Sequence, residues 1–202
     1  MILLVTALRA EALPLGLALT EREMLDRRMV TGRLAGRPAA LLRCGVGRER
    51  ARAQTEAAVK RLEPDWVLSL GTAGGLDDGL DIGETIGASE VILAATGERF
   101  ETAPLPGVRA GAVLTVDALI HTPQRRAEAG RQAMVCEMEA AGVAQAARGR
   151  RFSALKVVSD HAGATADPAL VVGSPASIAR FQRRAAELCW ERLVPALRRA
   201  LG

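Results

Sequence analysis

The sequence predicts an α/β protein, a single-domain α/β/α sandwich over residues 1–202 around a central mixed, largely parallel twisted sheet. Three observations carry this. Short apolar runs alternate with amphipathic helical stretches, which is the order that builds parallel sheets. Several runs are apolar at successive positions, as strands covered on both faces are. At 202 residues, 49% apolar and 25% charged, the chain has the length and balance for one sizeable core.

The elements follow in order. Strands are expected at residues 2–6, 39–44, 66–70, 85–94, 111–116 and 153–158, each bounded by Gly, Pro or charge. The first helix spans Arg9 to Leu19. The second, Arg48 to Leu62, puts Ala51, Thr55, Ala58, Val59 and Leu62 on one face and is stopped by Pro64. A third runs from Glu139 to Arg148. The last opens with Ser174 as N-cap and Pro175 at the first position, and runs towards Arg199 with Ile178, Phe181, Ala185, Leu188 and Leu193 as its packed face. Glu98 to Gly107 and Ala162 to Gly173 read as loops, the second with the composition of a lid.

Composition excludes several classes. No apolar run reaches the length of a membrane span, and Met1-Ile2-Leu3-Leu4-Val5 reads as a first strand without a leader, so a cytoplasmic protein is expected. Cys44, Cys136 and Cys189 lie far apart in apolar runs, as free buried thiols do. Neither His121 nor His161 has metal-ligand spacing to a cysteine, so no metal and no cofactor are expected. The net charge of +4 invites a nucleic-acid partner. However, the basic residues are almost all arginines spread along helices, there is no Tyr, and Phe and Trp number three and two. A stacking platform is absent, and no nucleic-acid partner is expected.

Four constellations carry chemistry. Trp66 to Leu76 is a buried strand entering a Gly-rich turn, Gly71-Thr72-Ala73-Gly74-Gly75, where backbone N–H groups meet a ligand at a strand end. The glycine spacing matches neither a dinucleotide fingerprint nor a P-loop. Cys44-Gly45-Val46-Gly47-Arg48 is a second strand-to-glycine turn that leads into a helix, either an anion site or a plain connection. Glu11 follows the first strand, as compensation of a helix dipole or as a general base. Finally, Cys136-Glu137-Met138-Glu139 and Ser159-Asp160 set carboxylates at strand ends, where burial is costly unless something binds them. A carboxylate accepts both hydroxyls of a ribose, and Asp160 serves as an acid if its surroundings favour the protonated form.

These motifs, in this order from Met1 to about Gly163, resemble the purine nucleoside and uridine phosphorylase superfamily, and within it the methylthioadenosine/S-adenosylhomocysteine nucleosidase branch. The resemblance implies a nucleoside phosphorylase-like fold and cleavage of the N-glycosidic bond of a 5′-modified adenosine-type nucleoside. It implies that Glu11 activates water and that Thr72, Ala73 and Gly74 form the turn beside the sugar. Met138 and Glu139 would bind the ribose, with Glu137 beside them, and Asp160 with Ser159 would meet purine N7. A homo-oligomer, most simply a dimer, is implied as well. Phosphorolysis is the alternative: Arg9, Gly47, Arg48 and Lys156 are the residues that would rebuild a phosphate site. Against it, the first turn is not Gly-Asp-Pro, and Ser69 stands where related phosphorylases carry Arg. No aromatic precedes Glu137 to stack on a base, so an aliphatic residue, Phe100 or a partner subunit must do so. Futalosine- and adenosylhopane-type nucleosidases are further alternatives for the substrate, and a non-catalytic nucleoside-binding protein is the remote one.

Overall fold

The computed structural model describes residues 1–162 and 174–202. Ten strands form one mixed sheet: β1 Ile2–Thr6, β2 Thr20–Asp26, β3 Met29–Leu34, β4 Arg37–Arg43, β5 Trp66–Gly75, β6 Thr85–Leu93, β7 Arg99–Glu101, β8 Arg109–Thr115, β9 Val135–Glu137 and β10 Arg151–Asp160. The helices are α1 Arg9–Ala18, α2 Arg48–Leu62, α3 Pro123–Gly130, α4 Ala140–Ala146, α5 Pro175–Leu188 and α6 Val194–Leu201. A π-helical turn, Cys189–Leu193, joins the last two. The loop expected from Ala162 to Gly173 lies, apart from Ala162, outside the described residues.

The alternation of β1 shows why its run is apolar throughout. Leu3 and Val5 enter a core with Leu42, Val67, Ala140 and Val143, towards α2 and α4. Ile2 and Leu4 enter another with Leu15, Leu68, Leu193 and Leu197, towards α1 and the C-terminal helices. Helices therefore cover both faces, as the α/β/α reading requires.

Strand β5 organises the sheet. It pairs in parallel with β1 and β10 and, at its far end, antiparallel with β9. Because β10 also pairs with β6, β6 with β8 and β8 with β9, these five strands close on themselves into a ring. From β1 the sheet continues outward through β4, β3 and β2.

Some elements depart from the sequence reading. The Gly71–Gly75 turn is the continuation of β5, held by β10 on one side and β9 on the other. The 98–107 loop contains β7, which adds to β6. The β2–β3 hairpin, α3 and β9 were not expected. Ile178, expected in the packed face of the last helix, is 41% exposed, while Ala185 and Leu193 are buried. The π turn inserts extra backbone after Leu188 and rotates the face presented beyond it.

Helices α2 and α4 cross closely on one face of the sheet. Gly142 allows it: a Cβ there would run into the Arg48 carbonyl. Gly142→Ala is expected to lower stability by about 1–3 kcal/mol through overpacking, measured by urea unfolding.

Candidate functional site

Where β1 ends and β9 begins, one edge of β5 is left without a strand partner. Pairing with β1 covers Trp66 to Ser69, and pairing with β9 covers Gly74 and Gly75. Glu11 fills the gap. It lies in the first turn of α1, directly after β1, and is buried. Its Oε1 accepts from the Thr72 N–H at 2.8 Å and the Thr72 hydroxyl at 2.9 Å. Its Oε2 accepts from the Thr6 hydroxyl at 2.7 Å and the Leu8 N–H at 3.0 Å. Gly71, with φ of 145°, passes so close that a Cβ would sit 2.7 Å from Oε1. Glu11 thus caps α1 and also stands at a strand edge. The two backbone donors are fixed, but the two hydroxyls rotate, so a water can replace either.

The Glu137-Met138-Glu139 segment divides by environment. Glu137 accepts from the Thr115 hydroxyl at 2.6 Å, the Glu139 N–H at 3.0 Å and the Ala140 N–H at 2.8 Å, and pairs with Lys156 Nζ at 2.9 Å. It caps α4 and neutralises a buried cation. Lys156, 2% exposed, also donates to Ser69 Oγ at 3.0 Å. Burial alone would push its ammonium down, but the charges of Glu137 and Glu139 outweigh that and hold it above its usual value. Two of its three ammonium protons are thus directed at Ser69 and Glu137.

Glu139 is different. Its carboxylate has one hydrogen-bond partner among the described residues, the Gly47 N–H at 2.8 Å. Burial, reinforced by the charge of Glu137, pushes it up to about 7, against the pull of that N–H and of Lys156. Acceptor capacity remains on it, as a sugar diol would need. Met138 is partly buried against the cluster of Leu76, Ile92 and Leu114.

The other expected anion ligands do not converge. Gly47 serves Glu139. Arg48 pairs with Glu49 and with Asp117, the latter at 3.1 Å. Arg9 is exposed and lines a surface groove beside α1.

At the end of β10, Asp160 Oδ1 accepts from the Ser159 hydroxyl at 2.7 Å. That hydroxyl also lies 3.1 Å from the Ala73 carbonyl. Ala73 contributes only backbone here, its side chain being in the core, and Gly74 pairs with Asp160 in the β5–β10 register. Asp160 Oδ2 pairs with Arg126, a residue of α3 absent from the sequence reading. The buried Arg126 also donates to the carbonyls of Ile120, Gly75 and His161, at 3.3, 3.3 and 3.0 Å. Asp160 is therefore one half of an ion pair. Thr122 caps α3 with Pro123 in its first turn, which sets where the helix that carries Arg126 starts.

Two outcomes follow. Lys156→Met strands the buried Glu137 charge and is expected to cost about 3–5 kcal/mol, much of it recovered in the Glu137→Gln/Lys156→Met double variant, by chemical denaturation. Glu139 is held above the ordinary value of 4.5. The folded state thus keeps a proton that the unfolded chain loses, so its contribution is full below that value and disappears as pH rises through about 7. Glu139→Gln lacks this loss. The melting temperature of Glu139→Gln minus that of the native protein should rise steadily from about pH 5 to about pH 8.

Comparison with known proteins gives the chain relatives in sequence and in structure. The phosphorylase superfamily profile matches residues 2–107. The chain is 30% identical over 167 residues to the 5′-methylthioadenosine/S-adenosylhomocysteine nucleosidase of Geobacillus thermodenitrificans, covering 66% of this chain and 71% of that one. It is 27% identical to that of Marinomonas sp., over 77% of this chain and 79% of the other. The match to the Maridesulfovibrio salexigens nucleosidase, at 28% identity, covers 57% of this chain and spans 64% of the relative's length. Among solved structures, the Neisseria meningitidis nucleosidase in complex with methylthio-immucillin-A superposes with a TM-score of 0.81 over 98% of both chains, at 22% identity. The Colwellia psychrerythraea nucleosidase in complex with adenine gives 0.78 over 98% of this chain and 95% of that one, also at 22%. These two share the fold. The superfamily profile covers more than half of the chain, including the strands and turns that bring Glu11, Gly47 and Thr72 to one sheet edge, and the chain belongs to the phosphorylase superfamily.

Proposed function

We propose that the protein is a purine nucleosidase that hydrolyses the N-glycosidic bond of a 5′-modified adenosine-type nucleoside. The observation that carries the reading is the separation of three carboxylates by environment. Glu11 is set among hydroxyl and N–H donors, Glu139 keeps acceptor capacity beside Gly47, and Asp160 is paired with Arg126. In this reading Glu139 holds the ribose diol. A water held by Glu11 and Thr72 attacks C1′ and gives its proton to Glu11, while the C1′–N9 electron pair leaves with the base. Asp160, carried by Arg126 and Ser159, takes up a proton from solvent and delivers it to purine N7 as that bond breaks, so the base leaves neutral.

Water is favoured over phosphate because two of the three candidate cations are engaged elsewhere, Lys156 with Glu137 and Arg48 with Asp117 and Glu49, while Arg9 lines the surface groove beside α1. The adenosine-type substrate follows the relatives, which are nucleosidases of that class. A cytoplasmic setting belongs to the same reading. Cys44, Cys136 and Cys189 are free and buried, and burial pushes the first two up to about 12, as inert thiols of a reducing compartment. A homodimer enters on the resemblance alone.

A panel of methylthioadenosine, adenosylhomocysteine, adenosine, inosine and futalosine, with and without phosphate, tests the reading by chromatography. The expected result is free base without phosphate, with turnover falling at least about 100-fold in Glu11→Gln and in Asp160→Asn. Base release that requires phosphate and yields a sugar 1-phosphate makes the protein a phosphorylase. Tight nucleoside binding without turnover makes it a binding protein.

A further inference from the structure

Beyond α1 the sheet continues through β4, β3 and β2, and between helix and hairpin lies a groove of about 660 Å³. Three aliphatic side chains stand on it, Leu13 at 60%, Leu17 at 52% and Met24 at 75% exposure. Leu13 and Leu17 are one helical turn apart and share a face. Charge is segregated around them. Arg9, Arg22, Arg27, Arg28 and Arg43 line the groove, and its one acidic residue, Asp26, already pairs with Arg61 at 3.1 Å. Among the described residues none of the five arginines has a carboxylate partner. On β2, Arg22 and Met24 line the groove, whereas Glu21 and Glu23 do not. The chain carries 27 basic and 23 acidic side chains, so this concentration of cations is local, not a reflection of composition.

We propose that this face docks on an anionic lipid bilayer. The chemistry is that of a peripheral membrane contact, with aliphatic tips entering among headgroups and arginines meeting lipid phosphates. A second copy joined through the same face would set five arginines against five, which disfavours a two-fold dimer here. Ala12, Met29, Val30 and Leu41 also line the groove, while Leu13, Leu17 and Met24 are more than half exposed and supply the aliphatic tips that a bilayer takes up. No helix among the described residues is long and apolar enough to cross a bilayer, so the contact is one of surface. Arg43 is level with Thr6 in the β1–β4 register and Arg9 opens α1, so the groove reaches the sheet edge that carries Glu11. Docking in this way brings that edge to the bilayer surface.

Co-sedimentation of the full chain with vesicles tests the proposal independently of the enzymatic reading. Equimolar phosphatidylglycerol and phosphatidylcholine vesicles should pellet the protein, pure phosphatidylcholine should not, and added salt should release it. Arg27→Glu/Arg28→Glu and Leu13→Gln/Leu17→Gln should each lower partitioning by about tenfold or more. Both double variants should melt like the native protein and turn over a water-soluble nucleoside at the native rate. Native protein that stays in the supernatant with anionic vesicles overturns the proposal, and so do variants that pellet as well as the native chain. If the native protein ignores vesicles but binds a poly-glutamate peptide, the face belongs to an acidic protein. If sedimentation velocity shows a dimer that Leu13→Gln/Leu17→Gln dissolves while vesicles have no effect, the face belongs to a second copy.

Discussion

The ion pair between Lys156 and Glu137 is the constraint on which the site depends. Two opposite charges sit with almost no solvent contact, and their desolvation is tolerable only because further groups complete them. Ser69 of β5 and Thr115 of β8 do so, and the network joins four of the five ring strands. The same carboxylate caps α4 through two N–H groups, and the Thr115 hydroxyl takes a third from Ala141 at 3.0 Å. The backbone of Met138 and Glu139 is fixed between the strand and that cap. Glu139 in turn holds the Gly47 N–H at the start of α2, the helix that α4 crosses at Gly142. The segment proposed to bind the sugar, the helix crossing and the ring closure therefore share one buried charge pair.

A division of labour among like residues follows. Glu11, Glu137, Glu139 and Asp160 are all carboxylates at strand ends, yet each has a different partner set. Glu11 has hydroxyl and backbone donors, Glu137 an ammonium, Glu139 a single N–H, and Asp160 a guanidinium. For Glu139 the donors are too few to offset burial and the neighbouring charge. It is the carboxylate a ligand hydroxyl would relieve most.

Legibility in the sequence followed the range of the interaction. Helix α2 was read with its observed bounds, because its apolar face, its glycine start and Pro64 are all local. Strands β1, β4, β6, β8 and β10 were visible as apolar runs, since both faces of each are covered. The β2–β3 hairpin was not. Thr20–Asp26 has only Met24 and Leu25 as apolar residues, and an outlying strand open to water needs no more. The glycines after Leu70 read as a turn because the partners that keep them extended come from positions far along the chain. Glu11, Glu139, Asp160 and Ser159 were picked out by type and position, but their partners were not. Nothing near Asp160 in sequence announces Arg126, and nothing near Lys156 announces Glu137. Each pairing exists only once the ring has closed.

That closure bears on how the chain is made. Strand β5 collects β1, which precedes it by some sixty residues, and β9 and β10, which follow it at a similar or greater distance. On a translating ribosome the first half can assemble β1, β4 and β5, but β5 keeps an open edge until residues 151–160 emerge. Until then the Lys156 ammonium is missing and the Glu137 carboxylate has no counter-charge in the nascent core. Strand pairings this distant make closure slow, and the waiting edge is a site at which a nascent chain can misassociate.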